Sequence, residues 1–140
     1  MCITVMWAVK SSDFTDAFRD LAEELLGVRP EASDYRIHSS RVRTPATTLT
    51  ATSRICDCDS AIGSKAAEVR PGEIRADQFI AWLQRLPELR IERIALARAW
   101  SPELEYTPER QKSVPIGDVD EALLRGVEDE MLLSIYYPEG

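Results

Sequence analysis

The first 27 residues change hydrophobic period, and that change restricts the chain more than any other feature. Along Met1–Lys10 the apolar residues alternate, with Ile3, Val5, Trp7 and Val9 on one side and Cys2, Thr4, Met6 and Ala8 on the other. This is the pattern of a strand with one buried face. Immediately afterwards Phe14, Ala17, Phe18, Leu21 and Leu25 recur at helical spacing, with Ser12 or Asp13 placed to cap the start and Gly27 to end it. A strand running into an amphipathic helix implies layers, since the helix must bury its stripe against a sheet.

Further elements follow from the same periodicities. Tyr35–Arg43 and Thr47–Cys56 are rich in Thr, Ile and Val and read as two strands joined around Thr44-Pro45-Ala46, a hairpin. Residues 58–75 contain Gly63 and Pro71-Gly72 without periodicity and read as a surface loop. Ala76–Leu86 reads as a helix stopped by Pro87, and Arg90–Trp100 as another strand. Pro102, Pro108 and Pro115 then punctuate an irregular polar connection. Asp118 and Glu121 form a capping-box pair ahead of a helix carrying Leu123, Leu124 and Val127, and Met131–Tyr137 reads as a final strand.

The order β-α-β-β-α-β followed by α-β makes this an α+β chain with a mainly antiparallel sheet, and its first six elements resemble the ferredoxin-like split β-α-β arrangement. That is a resemblance of architecture, and it assigns no activity. It places the first strand between the third and fourth, with two helices on one face. At 140 residues the chain is expected to be one domain, 1–140.

All three cysteines and the only histidine, namely Cys2, His38, Cys56 and Cys58, fall at one end of the sketched sheet. A Cys₃His set suits zinc, so zinc is the one cofactor this inventory admits. The spacing is not that of common zinc motifs. A C-x-C pair on a straight strand sets its side chains about 6–7 Å apart, so the cysteines share an ion only where the strand ends or bends at Asp57. Reversible thiol chemistry at Cys56 and Cys58, or plain packing, are the alternatives.

Charge divides sharply. The net charge is −7, which argues against general affinity for nucleic acid or anionic membrane and favours a basic partner. Between Asp34 and Asp57, however, there is no acidic residue, and Arg36, Arg41, Arg43 and Arg54 give that segment +4. With His38 they are the candidate binding residues, able to hold a phosphate or carboxylate. Glu103 and Glu105 have no visible catalytic partner, and no phosphate loop, nucleophile elbow or H-E-x-x-H motif is present.

The opening segment carries neither a basic leader nor a small-residue cleavage site, and no run approaches the roughly 18 apolar residues of a membrane span. The expectation is therefore a cytoplasmic, non-enzymatic protein-binding module, such as an inhibitor or immunity protein for a basic toxin or enzyme. A zinc-binding or thiol-dependent protein is the alternative. An open sheet face also admits a homo-oligomer. The polar set Arg36, His38, Arg54, Cys56 and Cys58 should lie on the side of the hairpin sheet away from the helices.

Overall fold

The computed structural model describes residues 2–51, 56–63 and 72–138. Among these residues eight strands and three α-helices follow in the order β1 (Ile3–Lys10), α1 (Asp16–Leu26), β2 (Glu31–Ala32), β3 (Arg36–Ile37), β4 (Ala46–Thr50), α2 (Ala76–Arg85), β5 (Arg93–Trp100), β6 (Glu105–Tyr106), β7 (Arg110–Pro115), α3 (Glu121–Arg125) and β8 (Met131–Tyr136). Six of the strands form one sheet in the order β2-β4-β1-β5-β8-β7. Its pairings are antiparallel except for β7 with β8. The protein is thus a mixed α+β structure, and β1 lies between β4 and β5, antiparallel to both.

The odd residues of β1 face the helices as their period demands. Val5, Trp7 and Val9 join Leu49, Leu96 and Leu133 against Phe18, Leu21, Phe79, Trp82 and Leu83 in one buried cluster. Trp7 stacks on Phe79 at 5.7 Å and meets Trp82 edge-on at 5.0 Å. Truncating a buried ring of this size costs roughly 3–5 kcal/mol. Two caps differ from expectation. The Thr15 hydroxyl, not Ser12 or Asp13, accepts the Phe18 N–H at the start of α1, because Ser11–Asp13 is spent in a 3₁₀ turn. At α3 the capping carboxylate is Asp120, two residues beyond Asp118.

The expected hairpin does not form. β2 pairs with β4, whereas β3 leaves the main sheet and pairs in parallel with β6. The physical reason is the second face of the sheet. Met6, Ala8, Ala95, Ala97, Ala99 and Leu132 make that face apolar too, and they are buried beneath Ile37 and Tyr106, with Tyr35 and Val42 packed alongside. Strands apolar on both faces need cover on both, and the β3/β6 pair supplies it. The face expected to be open to a second subunit is therefore covered by the chain itself. The polar connection after Trp100 likewise contains two strands, β6 and β7, where none was expected. Arg54 and the C-terminal part of the expected strand Thr47–Cys56 lie outside the described residues, except Cys56 itself.

Candidate functional sites: a cationic cleft and a thiol cluster

The end of the sheet where β1 stops and β5 starts opens into a cleft of about 330 Å³. Its wall comes from four places: Ala8–Lys10 with Asp13, the turn Arg41–Arg43, the segment Arg90–Ala95, and Tyr136 with Tyr137. The turn is built locally. The Ser39 hydroxyl accepts the Arg41 N–H at 3.0 Å and the Ser39 carbonyl accepts that of Val42 at 3.1 Å. Val42 packs toward the β3/β6 pair, which lies across the sheet as a strap, and lines the cleft together with its two arginine neighbours. Arg90 follows a 3₁₀ turn at φ 61°, a left-handed conformation uncommon for an L side chain.

Five cations, Lys10, Arg41, Arg43, Arg90 and Arg93, thus share one cleft with two carboxylates, Asp13 and Glu92. Among the described residues none of the five cations forms an ion pair, while Arg29, Arg36, Arg75, Arg85, Arg98, Arg110 and Arg125 each do. Strand pairing gathers two of them: β1 and β5 pair from Ile3 with Trp100 to Ala8 with Ala95, so Lys10 and Arg93 lie just beyond the last pair, at the same end of the sheet. Like charges gathered in one place repel. Burial raises the Asp13 carboxyl above its ordinary range, with Glu92 adding to the effect and Lys10 opposing it.

The second site lies at the other end of β1. Here the chain turns at the C-x-C sequence: the Asp57 N–H donates to the Ile3 carbonyl at 2.9 Å, the Asp57 carboxylate accepts the Val5 N–H at 2.8 Å, and the Asp57 carbonyl accepts the Ser60 N–H at 3.0 Å. With Asp57 drawn inward, 6% exposed, its two cysteine neighbours come together. The sulfurs of Cys56 and Cys58 are 2.8 Å apart, and those of Cys2, Cys56 and Cys58 all lie within 4.8 Å of one another. All three are free thiols. The Ile3 N–H donates to the Cys58 sulfur at 3.4 Å. Arg98, tied to Asp129, is close enough to feel the charges of Cys58 and Asp57, although burial is the larger influence and lowers its basicity.

His38 does not join this group. Its Nε2 contacts the Glu105 carboxylate across the β3/β6 pair, and Arg36 approaches the same carboxylate at 3.9 Å. Both residues travel with β3 onto the strap, which carries His38 away from the cysteines. Of the expected binding residues, then, Arg41 and Arg43 enter the cleft, Arg36 and His38 pair with Glu105, and Arg54 lies outside the described residues. Sequence reasoning missed Lys10, Arg90, Arg93 and Tyr136. A usable signal existed, because an antiparallel first and fourth strand place the end of one beside the start of the other. No family model, curated protein or solved structure matches the chain. No helix among the described residues is long and apolar enough to cross a membrane.

Proposed function

We propose that the protein is a non-enzymatic binding module whose ligand is a small organic anion, held by carboxylate or phosphate groups in the cationic cleft. The observation that carries this reading is the set of five cations without ion-pair partners among the described residues, two of them just beyond the adjoining ends of paired strands. An anion between them offsets their repulsion and accepts charge-assisted hydrogen bonds. The volume is near the lower end of small-molecule sites. Tyr136, Val42 and Ala95 offer an apolar wall for the ligand's non-polar part.

The net charge had favoured a basic partner, an inhibitor or immunity role. Several of the acidic residues behind that expectation are matched within the chain, with Glu105 on Arg36 and His38, Glu121 on Arg125, Glu128 on Arg110 and Asp129 on Arg98. A basic surface therefore finds fewer unmatched carboxylates than the sequence suggested. As for the scaffold, the order β2-β4-β1-β5 with α1 and α2 on one face supports reading it as a ferredoxin-like unit extended by β8 and β7.

Calorimetric titration at low salt with inorganic phosphate, pyrophosphate and citrate tests the proposal. One site per chain is expected. The double variant Arg43→Ala/Arg93→Ala should bind roughly 10²- to 10⁴-fold more weakly, since each of the two charged hydrogen-bonding partners contributes about 1.5–3 kcal/mol. Arg110→Ala, far along the chain and bound to Glu128, should bind as the wild type does. Equal affinity in the cleft variant and in Arg110→Ala overturns the proposal, as does absence of saturable binding by all three anions.

A further inference from the structure

We propose that Cys2, Cys56 and Cys58 form a site for one zinc ion, bound by three thiolates with water in the fourth position. The condition under which a C-x-C pair can share an ion is met, because the chain at Cys56–Cys58 is not in a strand and turns from Asp57 through Ser60. Three soft donors within 4.8 Å of one another surround a point that each can reach. With Zn–S bonds of about 2.3 Å, tetrahedral coordination sets sulfurs about 3.8 Å apart. The Cys56–Cys58 separation of 2.8 Å must therefore open by about 1 Å on loading, a change that side-chain rotation at exposed Cys58 supplies.

Cys58 already accepts a hydrogen bond from the Ile3 N–H, which positions its sulfur, and the mostly buried Arg98 lies beside it. Cys2 is fixed in place by its carbonyl, which accepts the Ser101 N–H at 2.8 Å. Loading exchanges three S–H protons for one Zn²⁺, leaving the ion and three thiolates with a charge of −1 beside Arg98. A fourth protein ligand is not required, and an open position is the arrangement of zinc sites that bind a further group. His38 takes no part, which separates this site from the Cys₃His set that the sequence suggested. The site is independent of the anion cleft.

The test uses the full-length chain, reduced and stripped of metal, titrated with Zn²⁺ in competition with a chromogenic chelator and followed by native mass spectrometry. One zinc per chain is expected, with affinity rising as pH rises because protons are released. Cys2→Ser should weaken binding at least about 100-fold, given the free energy that each thiolate contributes in structural sites, and His38→Ala should leave it unchanged. Because Cys2→Ser could also perturb folding, alkylation of the wild type provides a second reading: Zn²⁺ should protect all three cysteines together. The inference is overturned if no 1:1 complex forms, if Cys2→Ser binds as tightly as wild type, or if Zn²⁺ leaves Cys2 open to alkylation.

Discussion

Two glycines in the left-handed region allow backbone strain and close packing to be separated by experiment. Gly27 ends α1 at φ 76°, and a Cβ added there meets nothing within 4 Å. Gly63 has nearly the same φ, 81°, yet its added Cβ falls 2.4 Å from Cδ and Nε of Arg98 and 2.7 Å from the Val127 carbonyl oxygen. Gly27→Ala should cost about 1 kcal/mol, the left-handed penalty less the gain from a stiffer unfolded chain. Gly63→Ala carries the same penalty plus an overlap that the backbone at Val127 cannot relieve. Overpacking typically adds 1–3 kcal/mol, for a total of about 3 kcal/mol.

The assay is equilibrium denaturation of both variants beside the wild type, with thermal midpoints as a check. At about 4 °C per kcal/mol for a domain of this size, the midpoints should fall by about 4 °C and 12 °C. The difference between the two variants isolates the contact, since the φ penalty is common to both. If Gly63→Ala is no more destabilising than Gly27→Ala, the loop following the cysteines does not press on Arg98 as described. The further consequence is local: Arg98 displaced by the new methyl should weaken zinc binding as well, whereas Gly27→Ala should not.

Two more outcomes can be measured. The Tyr106 hydroxyl is buried with no hydrogen-bond partner among the described residues, and burial holds its phenol well above the ordinary range; Tyr106→Phe should therefore keep or raise stability by up to about 1 kcal/mol, and a loss larger than that by denaturant unfolding would reveal a partner for the hydroxyl. Asp13 has a raised carboxyl pKa, so its contribution to stability is complete below the ordinary value of 3.8 and fades as pH rises through the raised one. A sulfate in the cleft, which stays doubly charged over this range, should bind more tightly as pH falls from 7 and Asp13 becomes neutral, with a proton taken up on binding. Asp13→Asn should bind tightly at pH 7 and lose most of that pH dependence, and equal slopes in the two proteins would remove Asp13 from the cleft.

The local elements were readable because each rests on a period within a few residues. The helices α1 and α2, the strands β1, β5 and β8, and the turn before β4 all fall within a few residues of their expected places. What could not be read was pairing over long distances. Tyr35–Arg43 has strand-like composition, and composition alone matched it with the next strand-like segment. Its actual partner, β6, is about 70 residues away and only two residues long, too short for any periodic signal. The clue lay elsewhere, in the runs Val5–Val9 and Ile94–Ala97, which are apolar on both faces. A sheet built from such strands cannot leave one face to solvent, so some segment had to cross it.

The same distinction explains which parts of the two sites were visible. The thiol cluster needs only that the start of β1 and the end of the expected strand Thr47–Cys56 share a sheet end, which the expected antiparallel pairing already implies. His38 was lost from it because its position depended on the hairpin. The cleft draws cations from β1, the strap turn and β5, and the arginine-rich segment 36–43 was conspicuous only as a charge run. Its meaning came from the turn at Ser39, which brings Arg41 and Arg43 to the end of the sheet where Lys10 and Arg93 lie. Cys2 and Lys10 are separated by eight residues of extended chain, about 26 Å, more than three Debye lengths at physiological ionic strength. Two sites that far apart with no shared side chain should respond additively: zinc should leave anion affinity unchanged, and Arg43→Ala/Arg93→Ala should leave zinc affinity unchanged. A thermodynamic coupling between them would mean that β1 transmits more than register from one end of the sheet to the other.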